Sequence, residues 1–322
     1  MRLSPLHRRL GLLALAVCLG WLLVARGYAD YLARVAPDRA LALNADQPVA
    51  LMRQAEKALA DSRLDDAQTL ALRALRAQPF EGRSLRILGA VAESRGDRAR
   101  ALALMDMAVA TTPRESAAQF WLAINALADK DVNGALLRFD RLLRFEPEVQ
   151  GDVFPILALI AVSPNGVGPI SRYLAADTPW RAAFVGRLVR DTESSAAVSR
   201  LFNAIRDAGG HVRQDEIDQF AARLFARREW PRLRRLVAQL DGEQPALLRD
   251  GGFDGNGPLS LLGWSLTKVP GVDLKIAAEN GANPALRLVF LDRRVPFQHV
   301  SQSLLLLPGS YTLSGRARST NL

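Results

Sequence analysis

Three prolines, Pro79, Pro113 and Pro147, stand 34 residues apart twice in succession. Proline cannot continue a helix, because it lacks the amide donor and its ring collides with the preceding turn. A recurring stop therefore marks the end of a recurring unit. Counting back from each proline gives the same skeleton. Twenty-four residues earlier stand Ala55, Gly89 and Ala123. Twelve residues earlier stand Ala67, Ala101 and Ala135, and five earlier stand Ala74, Ala108 and Leu142. Small residues at these places let two antiparallel helices approach closely within each unit. Such units bury a continuous core only by stacking on their neighbours.

The pattern resembles the tetratricopeptide repeat, a helix–turn–helix of this length. The middle unit, "LRILGAVAESRGDRARALALMDMAVATTP", carries it most fully, through Leu88, Gly89, Gly96, Ala101, Ala108 and Pro113. The first unit keeps Leu51, Ala55, Leu64, Ala67, Ala74 and Pro79, and the third keeps Leu122, Ala123, Ala135, Phe139 and Pro147. Two features depart from the family. Leu142 replaces a small residue, and Ala58, Ala92 and Ala126 stand where a tyrosine is usual. The resemblance covers residues 48–147. Beyond it, apolar spacing predicts helices near 151–162, 168–176, 178–191, 193–208, 213–228 and 230–240. These read as three degenerate hairpins over 148–245.

After residue 245 the period changes. "VDLKIAA", "ALRLVFL", "HVSQSLLLL" and "SYTLSGRA" alternate apolar and polar residues, a strand pattern. Residues 246–322 resemble part of a galactose-binding-like, carbohydrate-binding-type β-sandwich. Gly251, Gly252, Phe253, Gly263, Trp264, Pro308, Gly309 and Tyr311 carry that likeness, while Asp250 and Asp254 depart from it. About five apolar runs are legible, against about eight strands in a jelly roll. The expectation is a truncated module, or one completed by a partner strand. The fold class expected is thus mainly α: a tetratricopeptide-like α-solenoid behind a transmembrane helix, followed by a short, incomplete jelly-roll-like sandwich.

The start of the chain is basic, and residues 10–25, "LGLLALAVCLGWLLVA", are uncharged and apolar. The positive-inside rule places residues 1–9 in the cytoplasm, 10–28 in the membrane and the rest outside. A signal peptide cut before Asp30 is the competing reading. Residues 29–47 are then a linker or helix. The placement expected is the bacterial inner membrane, single-pass, with the bulk in the periplasm. Of the 42 basic residues 38 are arginine, a bias too general for the net charge of +9 to identify a partner. The single cysteine, Cys18, rules out an intrachain disulfide and a Cys-based zinc site.

No catalytic motif, metal cluster or cofactor signature stands in the sequence, so a non-enzyme is expected. The resemblance to tetratricopeptide arrays implies a concave groove lined by first helices. By register this implies Met52, Glu56, Arg83, Arg86, Ala90, Phe120 and Ile124, a mixture suited to an extended peptide or another protein's helix. "RLFARREWPRLRRLV" places Arg223, Arg227, Arg228, Arg232, Arg234 and Arg235 on two adjoining helices, with Phe225, Trp230, Leu233 and Leu236 on the core side. That basic face is either solvated or a site for acidic polysaccharide or anionic lipid. Nucleic acid is not expected beyond the membrane. Trp264 and Tyr311 are candidate glycan contacts, though in the sandwiches they resemble the positions of Phe253 and Trp264 more often fill the core. Asp250, Asp254 and Asn256 suggest a turn more than a calcium loop. The function expected is an envelope-anchored scaffold for a protein partner, in exopolysaccharide or cell-wall assembly. The alternative is a glycan-binding module displayed on a helical stalk.

Overall fold

The computed structural model describes residues 20–21, 24, 27–241, 247–254, 259–278, 284–291 and 294–320. Residues 1–9, Cys18, Asn256 and most of 10–28 lie outside the described residues. Two compact units divide the chain, Met1–Ile156 and Leu157–Leu322.

In the first unit, helical residues 27–35 precede α1 (Pro37–Leu43). Three hairpins follow. They are α2 (Pro48–Ala60) with α3 (Leu64–Ala77), α4 (Gly82–Ser94) with α5 (Arg98–Thr111), and α6 (Ser116–Ala128) with α7 (Val132–Phe145). First helices start at residues 48, 82 and 116 and second helices at 64, 98 and 132, so every step is 34. Each ruler proline stands two residues past the end of a second helix. After the 3-10 turn Pro147–Val149, α8 (Gln150–Val162) begins one more step of 34 along.

Side-chain size explains the regularity. Ala55, Ala67, Ala101, Ala108, Ala123 and Ala135 are 0% exposed, at the places where the paired helices meet. Each first helix packs mainly on its own second helix. A Cβ added at Gly89 would lie 3.1 to 3.3 Å from the Met105 side chain on α5. The chain folds here as a tetratricopeptide-like helical solenoid.

A further 34-residue ruler appears in the turns. Ser62, Gly96 and Lys130 have φ of 60°, 80° and 63°, in the left-handed region that reverses the chain. The next amide in each turn donates back to the first helix: Arg63 to the Ala58 carbonyl at 2.8 Å, Asp97 to Ala92 at 2.9 Å, and Asp131 to Ala126 at 2.8 Å. The stretch before the repeats is docked on them. Ala33, Ala40 and Ala50 are 0% exposed in one cluster. Gln47 accepts from the Ala50 amide at 2.7 Å and donates to Asp30 at 3.0 Å.

The second unit contains α9 (Val167–Ala175), α10 (Arg181–Asp191), α11 (Ser195–Asp207), α12 (Gln214–Ala226) and α13 (Trp230–Asp241). Its core is aromatic. Trp180 meets Phe184 edge-on at 5.8 Å, and Phe202 meets Phe220 at 5.4 Å. Like helices pack on like: α9 on α11, and α10 on α12. Among the described residues of the chain, no single helix is long and apolar enough to cross a membrane.

The same unit ends in a small β part. Strands β1 (Trp264–Leu266) and β4 (Val300–Gln302) pair antiparallel, as do β2 (Val272–Ala277) and β3 (Ala285–Phe290). The runs expected at 272–278 and 285–291 are therefore strands. The jelly roll is not what the described residues form: they make two separate two-stranded sheets. Residues 303–320, including the expected "SYTLSGRA" strand, join no ladder. Extended chain without a neighbouring edge has no ladder to complete. In the β2–β3 hairpin, the face bearing Val272, Leu274, Ile276, Leu286, Leu288 and Phe290 is all apolar, yet Ile276 and Phe290 remain 40% and 45% exposed.

Candidate functional site

The first-helix face of the repeats holds six of the seven expected groove residues in two register columns, with Arg83 in neither. Met52, Arg86 and Phe120 occupy one column, each 34 residues after the last. Glu56, Ala90 and Ile124 occupy the other, four residues on. The first column points inward. Met52 is only 4% exposed and packs with Leu51 and Ala74, so it is a core residue and not a groove contact. Phe120 is half-buried, its ring edge-on to the fully buried Phe139 at 6.1 Å. In the second column Glu56 and Ala90 are partly buried, and Ile124 is 38% exposed.

Arg83 and Arg86 are committed to neighbours. Glu56 on α2 pairs with both, accepting from Arg83 Nε at 2.7 Å and from the terminal nitrogens of both arginines. Arg86 Nε also lies 2.6 Å from Glu115, the residue just before α6, as an ion pair without the alignment of a hydrogen bond. Burial pushes the Glu56 carboxyl up, but the hydrogen bonds and charges of Arg83 and Arg86 outweigh it. They hold the group below the usual carboxylate range. The result is an acid–base–acid ladder across three successive first helices. A partner carboxylate would have to displace Glu56 or Glu115 to reach these arginines. Glu115 was not among the expected residues. The alternation Glu56, Arg83, Arg86, Glu115 at near-repeat spacing was its signal in the sequence.

The expected basic face divides into separate roles. Arg223 is half-buried and donates to the Val189 carbonyl, with burial and the charge of Arg227 pushing its guanidinium down. Arg227 donates to the Glu193 carbonyl at 2.7 Å. Arg232 pairs with Glu229 at 2.6 Å. Ser195 donates to that same carboxylate, and together they hold it below its ordinary range. Arg228 sits at a left-handed turn, φ 56°. Arg234 and Arg235 line a cleft with the β part. The structure therefore brings no single arginine surface together. Three of these arginines are held by structural contacts: Arg223 to a neighbouring helix, Arg227 to the turn before α11, and Arg232 to the residue before its own helix.

Trp264 and Tyr311 are also parted. Trp264 stacks on Phe253 at 5.0 Å and donates its indole N–H to the Asp250 carbonyl at 2.8 Å, which engages both its ring and its donor. Tyr311 is 47% exposed and lines the cleft. The Asp250 carboxylate accepts the Asp254 amide at 2.6 Å, a turn contact.

One cluster had no place in the sequence reading. Arg181, 0% exposed, makes a two-pronged pair with Glu216 at 2.8 and 2.7 Å. It also donates to the carbonyls of Leu174 and His211, each at 2.7 Å. Glu216 in turn accepts the Arg213 amide at 2.9 Å. With every prong occupied, the pair is a structural clamp.

No family model matches the chain, and no curated protein matches it. Among solved structures it is similar to one from a functional characterization of Pseudomonas aeruginosa pilF, at 15% identity and a TM-score of 0.35, covering 62% of this chain and 92% of that one. It is similar to PilW, a type IV pilus biogenesis factor, at 15% identity and 0.33, covering 68% and 92%. A third is Naa15/Naa10 bound to HypK-THB, at 15% and 0.31, covering 68% of this chain and 35% of that one. The repeat assignment rests on the 34-residue register and the packing described above.

Proposed function

We propose that the chain is a non-catalytic scaffold that holds a protein partner against the first-helix face of its repeats. The observation carrying this reading is the apolar Ile124, 38% exposed on the third first helix, on the face that carries a ladder whose charges already neutralise one another. Such a surface can shed water from its apolar residues without stranding a lone charge. It suits a partner helix with apolar anchors and polar flanks. The basic start and apolar run of residues 1–28 support an inner-membrane anchor with the repeats in the periplasm.

The test is a photo-cross-linking amino acid at position 124, with position 107 as the control. Met107 lies on a second helix and is 54% exposed. Position 124 should capture one protein in intact cells that position 107 does not. Capture of the same products at both positions, or of none at 124, would overturn the assignment.

A further inference from the structure

In the second unit a cleft of about 560 Å³ lies between α13 and the β part. That volume is in the range of small-molecule sites, about 300–1,000 Å³. Pro231, Arg234, Arg235 and Ala238 all line it, and their spacing places them on one stripe of α13. The floor is apolar, with Val237 and Leu262 at 5% and 3% exposure. Leu247, Leu307 and Tyr311 also line it, yet stay 56%, 59% and 47% exposed. Unfilled apolar walls of this kind are what a buried hydrocarbon would cover.

The charge of the cleft is one-sided. Its described lining holds arginines and no Asp or Glu. Arg234 and Arg235 make no ion pair among the described residues, and Arg235 has only a long 3.4 Å contact to the Pro231 carbonyl. The ring of polar groups needed to hold a sugar is missing from the described lining, where Ser303 and Tyr311 supply the hydroxyls. We infer that this cleft binds a single-chain anionic amphiphile. Its hydrocarbon lies along Val237, Leu262 and Leu307, and its carboxylate or phosphate is held by Arg234 and Arg235. The site is formed wholly by residues of the second unit and does not depend on a protein partner at the repeats.

The experiment uses the full chain in neutral phosphatidylcholine nanodiscs. Three photoreactive twelve-carbon probes are compared: a carboxylate, a phosphate monoester and an alcohol. The acidic probes should label residues 231–238 and 303–311 about tenfold more than the alcohol, the scale of one charge-assisted contact. Arg234→Gln with Arg235→Gln should bring acidic labelling down to the alcohol level. Ala238→Trp, at an exposed position facing the cleft, should suppress all three with an unchanged circular dichroism spectrum. The ratio of the two acidic probes identifies the head group. Competition by inorganic phosphate without loss of alcohol labelling would confirm a separate head subsite. Equal labelling by acid and alcohol, labelling that survives Ala238→Trp, or no labelling overturns the proposal. So does a cross-linker at position 307 that captures only protein in cells.

Discussion

In the first unit the paired helices meet through Ala55, Gly89, Ala101, Ala123 and Ala135, while in the second the core is filled by Trp180, Phe184, Phe202 and Phe220. Interaxial distance follows the side chains at the contact. Alanine and glycine bring helices to one close distance, which admits little variation in the unit that repeats it. First helices there start at 48, 82 and 116, always 34 apart. Aromatic side chains hold helices further apart and can be re-oriented. In the second unit, second helices start at 167, 195 and 230, steps of 28 and 35. The 34-residue step survives there mainly in polar contacts, Ser195 with Glu229 and Arg227 with the Glu193 carbonyl. Close packing enforces a ruler; bulky packing relaxes it and needs polar clamps to fix position.

The strongest way to break this comparison is at the clamp. Arg181→Met leaves the Glu216 carboxylate buried beside unpaired carbonyls, and removing one partner of a buried pair typically costs about 3–5 kcal/mol. Hydrogen exchange should accelerate across residues 181–226 and stay unchanged across 48–145. Arg181→Met with Glu216→Leu should recover only part of the loss, because the Leu174 and His211 carbonyls and the Arg213 amide lose their partner. Equal acceleration in both regions would refute a clamp specific to the second unit.

Legibility in the sequence follows the same division. Where small residues recur on a strict step, the register could be read directly, and α2 to α7 follow it. In the second unit periodicity alone located α9 to α13 within three residues at each end. Charge pairing was not legible. Arg181 and Glu216 are 35 residues apart, and nothing local marks either as buried. The next place on the proline ruler, 147 plus 34, is Arg181 itself, so the ruler ends where the clamp begins. Met52 was misplaced because its column faces the core in this repeat, whereas the same position holds a charged residue, Arg86, in the next. The run 310–317 alternates like a strand, but alternation fixes only which side chains share a face. It does not supply an edge to pair with.

Gly89 sharpens the close-packing half of the comparison. Gly89→Leu should destabilise the first unit by roughly 1–3 kcal/mol, the usual cost of overpacking. Met105→Ala should relieve part of this, because the Met105 side chain is what a Cβ there would meet. Gly89→Ala should be milder, since the end of a methionine can yield a few tenths of an ångström. A Leu substitution without effect on the melting of residues 48–145 would remove Gly89 from the helix crossing.

The turn ruler gives a smaller effect of either sign. Ser62 and Lys130 hold a left-handed conformation that disfavours L-residues by about 1–2 kcal/mol, partly offset by the flexibility glycine adds to the unfolded chain. Lys130→Gly should therefore raise the urea midpoint, by up to ~1 kcal/mol in stability. Gly96→Ala, with φ of 80° and open space around its Cα, should lower it by about the same amount. Shifts of the same sign at the two positions would contradict equivalent turns.

The smallest expected effect is the acid response of the ladder. Glu56 is held below its ordinary pKa of 4.5 in the folded chain, so its unfolded form binds a proton more readily. The stabilisation is present above the unfolded value and is lost as pH falls through the folded one. Its side chain is 30% exposed, so solvent screening keeps the contribution modest. Glu229 in the second unit is shifted the same way by Ser195 and Arg232, so acid weakens both units. Glu56→Gln separates them. The variant should melt lower than the parent at neutral pH, and the gap should narrow as pH falls below the ordinary carboxylate value and close only once it has passed the lowered folded one, where the parent's carboxylate is protonated. The closing should appear in probes within residues 48–128 and leave the acid response of 195–232 unchanged. A gap that is constant with pH would mean that Glu56 acts through its shape, and Arg83 and Arg86 would then be held in place by something other than its charge.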